Sequence, residues 1–323
     1  MDGLGNPTKP HRHMTQSSKL RIGTRGSPLA LAQAKIVRAR LAAAHGLDPE
    51  VLEIIVVRTT GDRVLDRPLA DAGGKGLFTK EIEEALAAGT IDLAVHSAKD
   101  VPTFLPPGLV LAAFPPRADA RDAFVSARAG SLGSLSAGAS VGTSSVRREA
   151  LTRRLRPDLQ VKLLRGNVHT RLDKIASGAI DAAILALSGL ERLGLASRAT
   201  EVLDPATFPP AVGQGAIAVE IRADDRRTAV LVAAIDDPAT ATALATERAF
   251  LAALDGSCRT PIAGHARVTH GHVRFHGLVI APDGTGAVET TREGPEADAV
   301  KLGTDAGREL RARAPKGVLS DPE

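Results

Sequence analysis

From Leu20 onward, short apolar runs alternate with amphipathic stretches, the pattern of strands and helices in an α/β protein. Leu20 to Gly23 reads as a strand. Ser27 then offers a helix cap with Pro28 at the first helical position, Ala30, Ala34, Val37 and Leu41 form one face, and Gly46 supplies the stop. Glu53 to Arg58, Ile91 to His96 and Leu109 to Phe114 read as further strands, with a helix ending near Gly89 between the first two. Prolines at Pro102, Pro106, Pro107, Pro115 and Pro116 interrupt the alternation. A second alternating block runs from Asp122 to about Arg192, with strands near Val141, Val161 to Leu164 and Ala179 to Ala186. After Pro209 and Pro210 an apolar strand, Ala216 to Ile221, is placed to return to the first block, and two such crossings would make a hinge.

Beyond this strand the character changes. A helix from about Thr240 to Leu254 precedes β-rich sequence punctuated by His270-Gly271 and Pro282-Asp283-Gly284, and a last helix follows. The expected organisation is therefore an α/β domain over residues 20–115 with 216–235 returning to it, a second α/β domain over 120–210, and a smaller α+β domain over 238–323. Residues 1–19, rich in Gly, Pro, His and Ser, read as a disordered extension without the basic-then-apolar plan of a signal peptide.

Length supports several domains, since 323 residues exceed the ~100–200 of an ordinary single one. No apolar run approaches the ~18 residues of a membrane span, so no membrane is expected. The single cysteine rules out an intramolecular disulfide and fits a reducing cytoplasm. Nothing signals an oligomer, so a monomer is expected. The net charge is only +4, yet arginines recur inside short motifs, which favours discrete anion sites. Nucleic acid is disfavoured because the chain has no Trp or Tyr and seven Phe, too few for base-stacking platforms.

Four polar clusters each follow a strand and precede a helix: Thr24-Arg25-Gly26-Ser27, His96-Ser97-Ala98-Lys99-Asp100, Gly142-Thr143-Ser144-Ser145 and Arg165-Gly166-Asn167. In open α/β sheets the carboxyl ends of strands border the ligand crevice, and helix starts present N–H groups to anions. Any one cluster is equally explained as a helix cap, but four together mark a cleft. Arg25, Arg147, Arg148, Arg165 and Arg171 accompany them, and permanently charged forks suit a substrate bearing several carboxylates, with phosphate as the other fit. Gly73-Gly74-Lys75-Gly76 lacks the spacing of a phosphate loop and reads as a lid presenting Lys75, with Phe78 beside it as a stacking face. Asp100, a carboxylate among cations at a strand end, is the candidate catalytic group. Cys258, in a loop after a helix, is either an attachment point or a small buried hydrophobe. His265, His270, His272 and His276 match no metal spacing, so no metal is expected.

Several segments together resemble the hydroxymethylbilane synthase, or porphobilinogen deaminase, family over about Leu20 to Lys316. They are RIGTRGSPLA (21–30), GGKGLF (73–78), HSAKDVP (96–102), VGTSSVRR (141–148), LRGNVHTRL (164–172), PAVGQGA (210–216) and the Cys258 loop. The resemblance implies two domains like those of periplasmic binding proteins plus a smaller one carrying the cysteine. It implies an enzyme that condenses four porphobilinogen molecules head to tail with loss of ammonia, then releases a linear tetrapyrrole by hydrolysis. It further implies a dipyrromethane cofactor joined to Cys258 by a thioether, and Asp100 assisting deamination and stabilising an azafulvene-like cation. Ser97, Lys99, Asp100, Thr143, Ser144, Ser145, Arg147, Arg148, Arg171 and Gly189 would surround the cofactor. Arg25, Ser27, Lys75, Phe78, Arg165, Asn167 and Gln214 would face the substrate. Asp71 stands in the lid where some relatives have a basic residue. The rival reading is a non-enzymatic periplasmic-type binding protein for an anionic ligand, against which the loop cysteine and the missing signal peptide argue.

Overall fold

A computed structural model describes residues 19–63, 78–255, 260–315 and 317–319. The expectations placed on the N-terminal extension, on Asp71 and Lys75 in the 71–76 loop, and on Cys258 lie outside the described residues.

The chain opens with β1 (Leu20–Arg25), α1 (Pro28–His45), β2 (Leu52–Val57), α2 (Thr60–Arg63), α3 (Lys80–Ala87), β3 (Leu93–Ser97) and β4 (Leu109–Ala113). It continues through β5 (Asp122–Ser126), β6 (Ser140–Thr143), α4 (Val146–Leu155), β7 (Gln160–Leu163), α5 (Val168–Ala176), β8 (Ala182–Ala186), α6 (Leu187–Arg192) and β9 (Glu201–Val202). There follow β10 (Ile217–Arg222), α7 (Arg226–Ala233), α8 (Pro238–Ala253), β11 (Ile262–Thr269), β12 (His272–Ile280), β13 (Ala287–Pro295) and α9 (Ala299–Arg313).

Local chemistry accounts for the helix starts. Ala30 N donates to Ser27 Oγ at 3.2 Å, Pro28 sits in the first turn, and Gly46 closes α1 in the left-handed conformation at φ 60°. In α8, Asp237 caps and Pro238 opens the helix, with the Thr240 amide and hydroxyl both donating to Asp237 Oδ2.

Two five-stranded sheets share one plan. Their orders are β2-β1-β3-β10-β4 and β7-β6-β8-β5-β9. In each, three parallel strands are joined by an antiparallel strand that arrives directly from the other half of the chain, β10 between β3 and β4 and β5 between β8 and β9. The two crossings lie against each other, with Ala118 N donating to Gly215 O at 3.2 Å. Gly215 is required there: its φ is +88°, and a Cβ would stand 2.5 Å from Ala118 O. Strands β5 and β9 add to those read from sequence. All five residues of β5 are buried, so it lacks the two-residue alternation that betrays a half-exposed strand, and β9 has only two residues.

The first sheet buries Ile22, Val95, Val219 and Ile221 against Val37 and Leu41 of α1. The third sheet, β11-β12-β13, is an antiparallel meander. One face covers α8 and α9 through Val273, Phe275 and Val279, with the Phe250 and Phe275 rings 4.9 Å apart. Its other face places Ala263, Leu278 and Ile280 against Leu151 and Phe208 of the second unit. The result is two α/β units joined by two crossings, with a smaller α+β unit packed beside them.

Candidate active site

β1 runs parallel to β3 and β6 to β7, so the four polar clusters sit at matching carboxyl ends of strands. On the first sheet, Arg25, Ser27, Gln33, Phe78, Ser97 and Asp100 share one pocket. The Arg25 guanidinium lies 3.9 Å from the Phe78 ring centroid, a cation held over an aromatic face. Gln33 Nε2 donates to Ser97 Oγ at 2.8 Å, while Ser27 is occupied as the α1 cap. Asp100 ends a single 3₁₀ turn, Ala98–Asp100, and is exposed to solvent. Behind that turn His96 Nε2 and Glu220 Oε2 lie 3.0 Å apart, both side chains buried, which braces β3 against β10.

Lys99, next to Asp100, sends Nζ to Gln214 Oε1 at 3.4 Å. Burial, and after it the Arg148 charge, pull its ammonium down to about 8. A lysine lowered this far discharges as pH rises through about 8, so its attraction for a carboxylate is present below that pH and lost above it. We therefore expect kcat/KM for an anionic substrate to decline on the alkaline side of about pH 8. Lys99→Arg, whose charge is permanent, should push the decline to higher pH. A wild-type profile flat through this range would remove Lys99 from the ligand-holding set.

On the second sheet Thr143 Oγ1 accepts from Ser145 N at 3.1 Å, and Ser145 caps α4. Ser144 Oγ accepts from Arg171 Nη2 at 3.3 Å, and Arg171 Nε donates to Gly166 O. Burial first, then the Arg148 and Arg165 charges, bring the Arg171 guanidinium down to about 10, so it remains cationic at neutral pH. Among the described residues no carboxylate pairs with it, which leaves a half-buried cation suited to an anionic ligand. Asn167 Oδ1 accepts from Thr170 N and Oγ1, so it serves α5 as a cap. Gly189 lies on α6 facing Leu29 across the boundary between the two sheets.

Arg147 and Arg148 are turned toward the protein. Arg147 Nη2 and Arg148 Nε donate to the two oxygens of Asp122, at 2.7 and 3.0 Å. Arg147 Nη1 is held by Pro209 O and Arg148 Nη1 by Ile184 O. Gln214 joins this group: its Nε2 donates to Asp122 Oδ1 and Ala120 O, and its Oε1 accepts from Arg148 Nη2.

Two residues were not picked out from sequence. Arg192, on α6, donates from Nη2 to Gly215 O in the crossing, and burial pulls it down to about 10. It looks like a surface residue of a short helix, and only the packed crossing reveals it. Asp122 reads as an ordinary residue at the start of an apolar run, and its partners lie 25, 26 and 92 positions away. No local signal identifies it.

Comparison with known proteins agrees with the motifs. A family model described as porphobilinogen deaminase, dipyromethane cofactor binding domain, matches residues 20–230, and one described as the porphobilinogen deaminase C-terminal domain matches 241–312. A protein named porphobilinogen deaminase from Nitrobacter winogradskyi is 64% identical over 293 residues, 91% of this chain and 93% of that one. Its namesake from Nitrobacter hamburgensis is 63% identical over the same length and shares. Among solved structures, the methionine binding protein MetQ overlays at a TM-score of 0.43 and 15% identity, covering 67% of this chain and 89% of that one. The first matched region carries all four strand-end clusters, and the identity extends across nine-tenths of both chains, so this chain belongs to the porphobilinogen deaminase family.

Proposed function

We infer that the chain is a hydroxymethylbilane synthase, a transferase that joins four porphobilinogen molecules head to tail on a dipyrromethane primer and frees the linear tetrapyrrole by hydrolysis. The observation that carries the site assignment is the exposed Asp100 carboxylate at the carboxyl end of β3, next in sequence to Lys99 and in one pocket with Arg25, Ser27, Phe78 and Ser97. Each addition breaks the substrate's aminomethyl C–N bond, releases ammonia, forms a C–C bond at a pyrrole α-carbon and expels that carbon's proton. Positive charge develops on the substrate methylene as nitrogen leaves. Asp100 supplies a fixed negative charge at that point and a place for pyrrole N–H groups to donate.

The donor set fits the cofactor. A dipyrromethane built from substrate units carries acetate and propionate groups, and hydroxyls of Ser144 and Ser145 with the Lys99 and Arg171 cations match them. Arg147 Nε is buried with no hydrogen-bond partner among the described residues, a donor left over for such a group. When bound through Cys258, the cofactor supplies the free pyrrole α-carbon that starts the chain. Arg25 over Phe78 is placed to take a carboxylate of the incoming substrate. A cytoplasmic location, supported by the single cysteine, and a monomeric state complete the reading.

Intact-mass measurement tests it. The purified wild type should exceed its polypeptide mass by the dipyrromethane, with the adduct mapping to Cys258. Cys258→Ser should show the bare polypeptide and no tetrapyrrole formation. Full activity in that variant would refute the attachment and, with it, the mechanism.

A further inference from the structure

The mechanism leaves the buried Asp122 carboxylate without a role. Asp122 opens β5 and has no exposed surface. Removing a carboxylate from water is costly unless cations and donors replace the solvent, and here they do so completely. Oδ2 accepts from Arg147 Nη2 at 2.7 Å, and Oδ1 accepts from Arg148 Nε at 3.0 Å and Gln214 Nε2 at 2.9 Å. Burial pushes the carboxyl up, but the Arg147 and Arg148 charges outweigh it and hold the group below the usual carboxylate range. The network continues across the hinge, because Gln214 lies on the second crossing and its Oε1 accepts from both Arg148 Nη2 and Lys99 Nζ. One carboxylate of the second sheet thus governs three cations, the last of them adjacent to Asp100.

We propose that Asp122 is a positioning residue of the reaction, which holds Arg147, Arg148 and, through Gln214, Lys99 in place while cancelling part of their charge, so that a lengthening polycarboxylate is held loosely enough to advance between additions. The proposal rests on the synthase reading above. Each added unit brings further carboxylates into a cleft already rich in cations. Cations that grip every bound state equally strengthen binding without speeding the reaction, and a chain held too firmly stalls before the next addition. A buried internal carboxylate limits that grip without entering the cleft. It also spends the Arg147 and Arg148 forks on the protein, which accounts for their orientation toward Asp122.

The test compares wild-type holoenzyme with Asp122→Asn and Asp122→Glu during turnover of limiting porphobilinogen, read by intact mass and by steady-state kinetics. Neutralising Asp122 should lower KM several-fold and kcat at least tenfold, with partly elongated covalent adducts persisting after the wild type has cleared them. Raised salt should return only a small part of the lost kcat in Asp122→Asn, because Arg147 and Arg148 are 3% and 6% exposed and are screened far less than cations in open solvent. Asp122→Glu keeps the charge on a longer stem and should bring KM and the adduct distribution nearer to wild type than Asp122→Asn does, even if it melts earlier. A purely structural Asp122 predicts a lower melting temperature with KM, adduct distribution and salt response unchanged, and that result overturns the proposal. If Asp122→Asn does not fold, Asp122→Ala refolded in formate takes its place, with dialysis of formate as the switch. Failure of all three variants to fold assigns Asp122 to the fold alone and also overturns the proposal. A wild type that shows no elongated adducts refutes the synthase reading itself, whereas a wild-type ladder matched by Asp122→Asn in population and KM refutes only the inference.

Discussion

Glu247→Ala should melt on the order of 10 °C below the wild type. Glu247 lies on α8 with no exposed surface, and its two oxygens accept four hydrogen bonds. Arg117 reaches it with Nη1 at 2.6 Å and Nη2 at 3.1 Å, Gly213 N at 2.7 Å and Ala266 N at 2.8 Å. Those donors come from the first crossing, the second crossing and β11, so one carboxylate ties both hinge strands to the third sheet. Arg117 strengthens the tie by donating from Nε to Gln214 O at 2.9 Å. Truncation leaves a nearly buried guanidinium without its counter-charge and two amides without acceptors. Breaking such a pair from one side costs about 3–5 kcal/mol, and each kcal/mol moves the midpoint by roughly 2–4 °C in a unit of this size. Glu289→Gln is the control: Glu289 is 60% exposed and pairs with His276 across β12 and β13, where solvent discounts the interaction. If calorimetry finds the two variants equally stable, the junction at Glu247 does not hold the units together.

The same junction shows why some of the architecture was legible in the chain and some was not. Helix α1 could be read almost residue by residue, because Ser27, Pro28 and Gly46 act on backbone groups within a few positions of themselves. The strand-end clusters were legible for a related reason: a parallel strand followed by a helix puts its polar turn at the crevice wherever it occurs. Long-range pairing was not. That β10 enters antiparallel between β3 and β4 depends on contacts over a hundred positions apart, such as Ala218 with His96. Arg147 and Arg148 illustrate the limit at the site itself. Their type and position suggested cations aimed at a ligand, but a carboxylate on a strand with no alternation, Asp122, takes up their forks. Ser145 and Asn167 show the converse, since each side-chain oxygen accepts at a helix start in the way the simpler reading anticipated, which leaves the Ser145 hydroxyl able to donate. Lys75 was read from its glycine-rich loop, Cys258 stayed open between attachment point and buried hydrophobe until the motif resemblance made it an anchor, and both lie outside the described residues.

Asp100→Asn should lower kcat by about 10²–10⁴-fold, the range observed when a group meeting developing charge or a moving proton is removed. Asn preserves the size and most of the hydrogen-bonding reach of Asp but lacks its charge, so the loss measures electrostatics rather than shape. Stability should stay within about 0.5 kcal/mol of wild type, because Asp100 is exposed and makes no hydrogen bond with the described residues. KM should move little: an interaction made fully only as the C–N bond breaks lowers kcat and kcat/KM together. Asp100→Glu separates charge from placement. It restores the negative charge on a stem one methylene longer, and misplacement on the order of 1 Å costs about 10²-fold by itself. Activity for Glu should therefore exceed that of Asn without approaching the wild type. The assignment fails if Asp100→Asn turns over porphobilinogen within a few-fold of wild type while carrying a full complement of cofactor by mass. It is also lost if Asn outperforms Glu, since the useful property of the position would then be its shape. Lys99 makes the comparison sharper. Its ammonium is lowered to about 8 by burial and the Arg148 charge, and the Asp100 charge works against that lowering, so the Asn variant should show the alkaline decline at somewhat lower pH on a lower curve. A decline that stays at the same pH or moves higher without the Asp100 charge would mean that Lys99 is not the group whose discharge sets it.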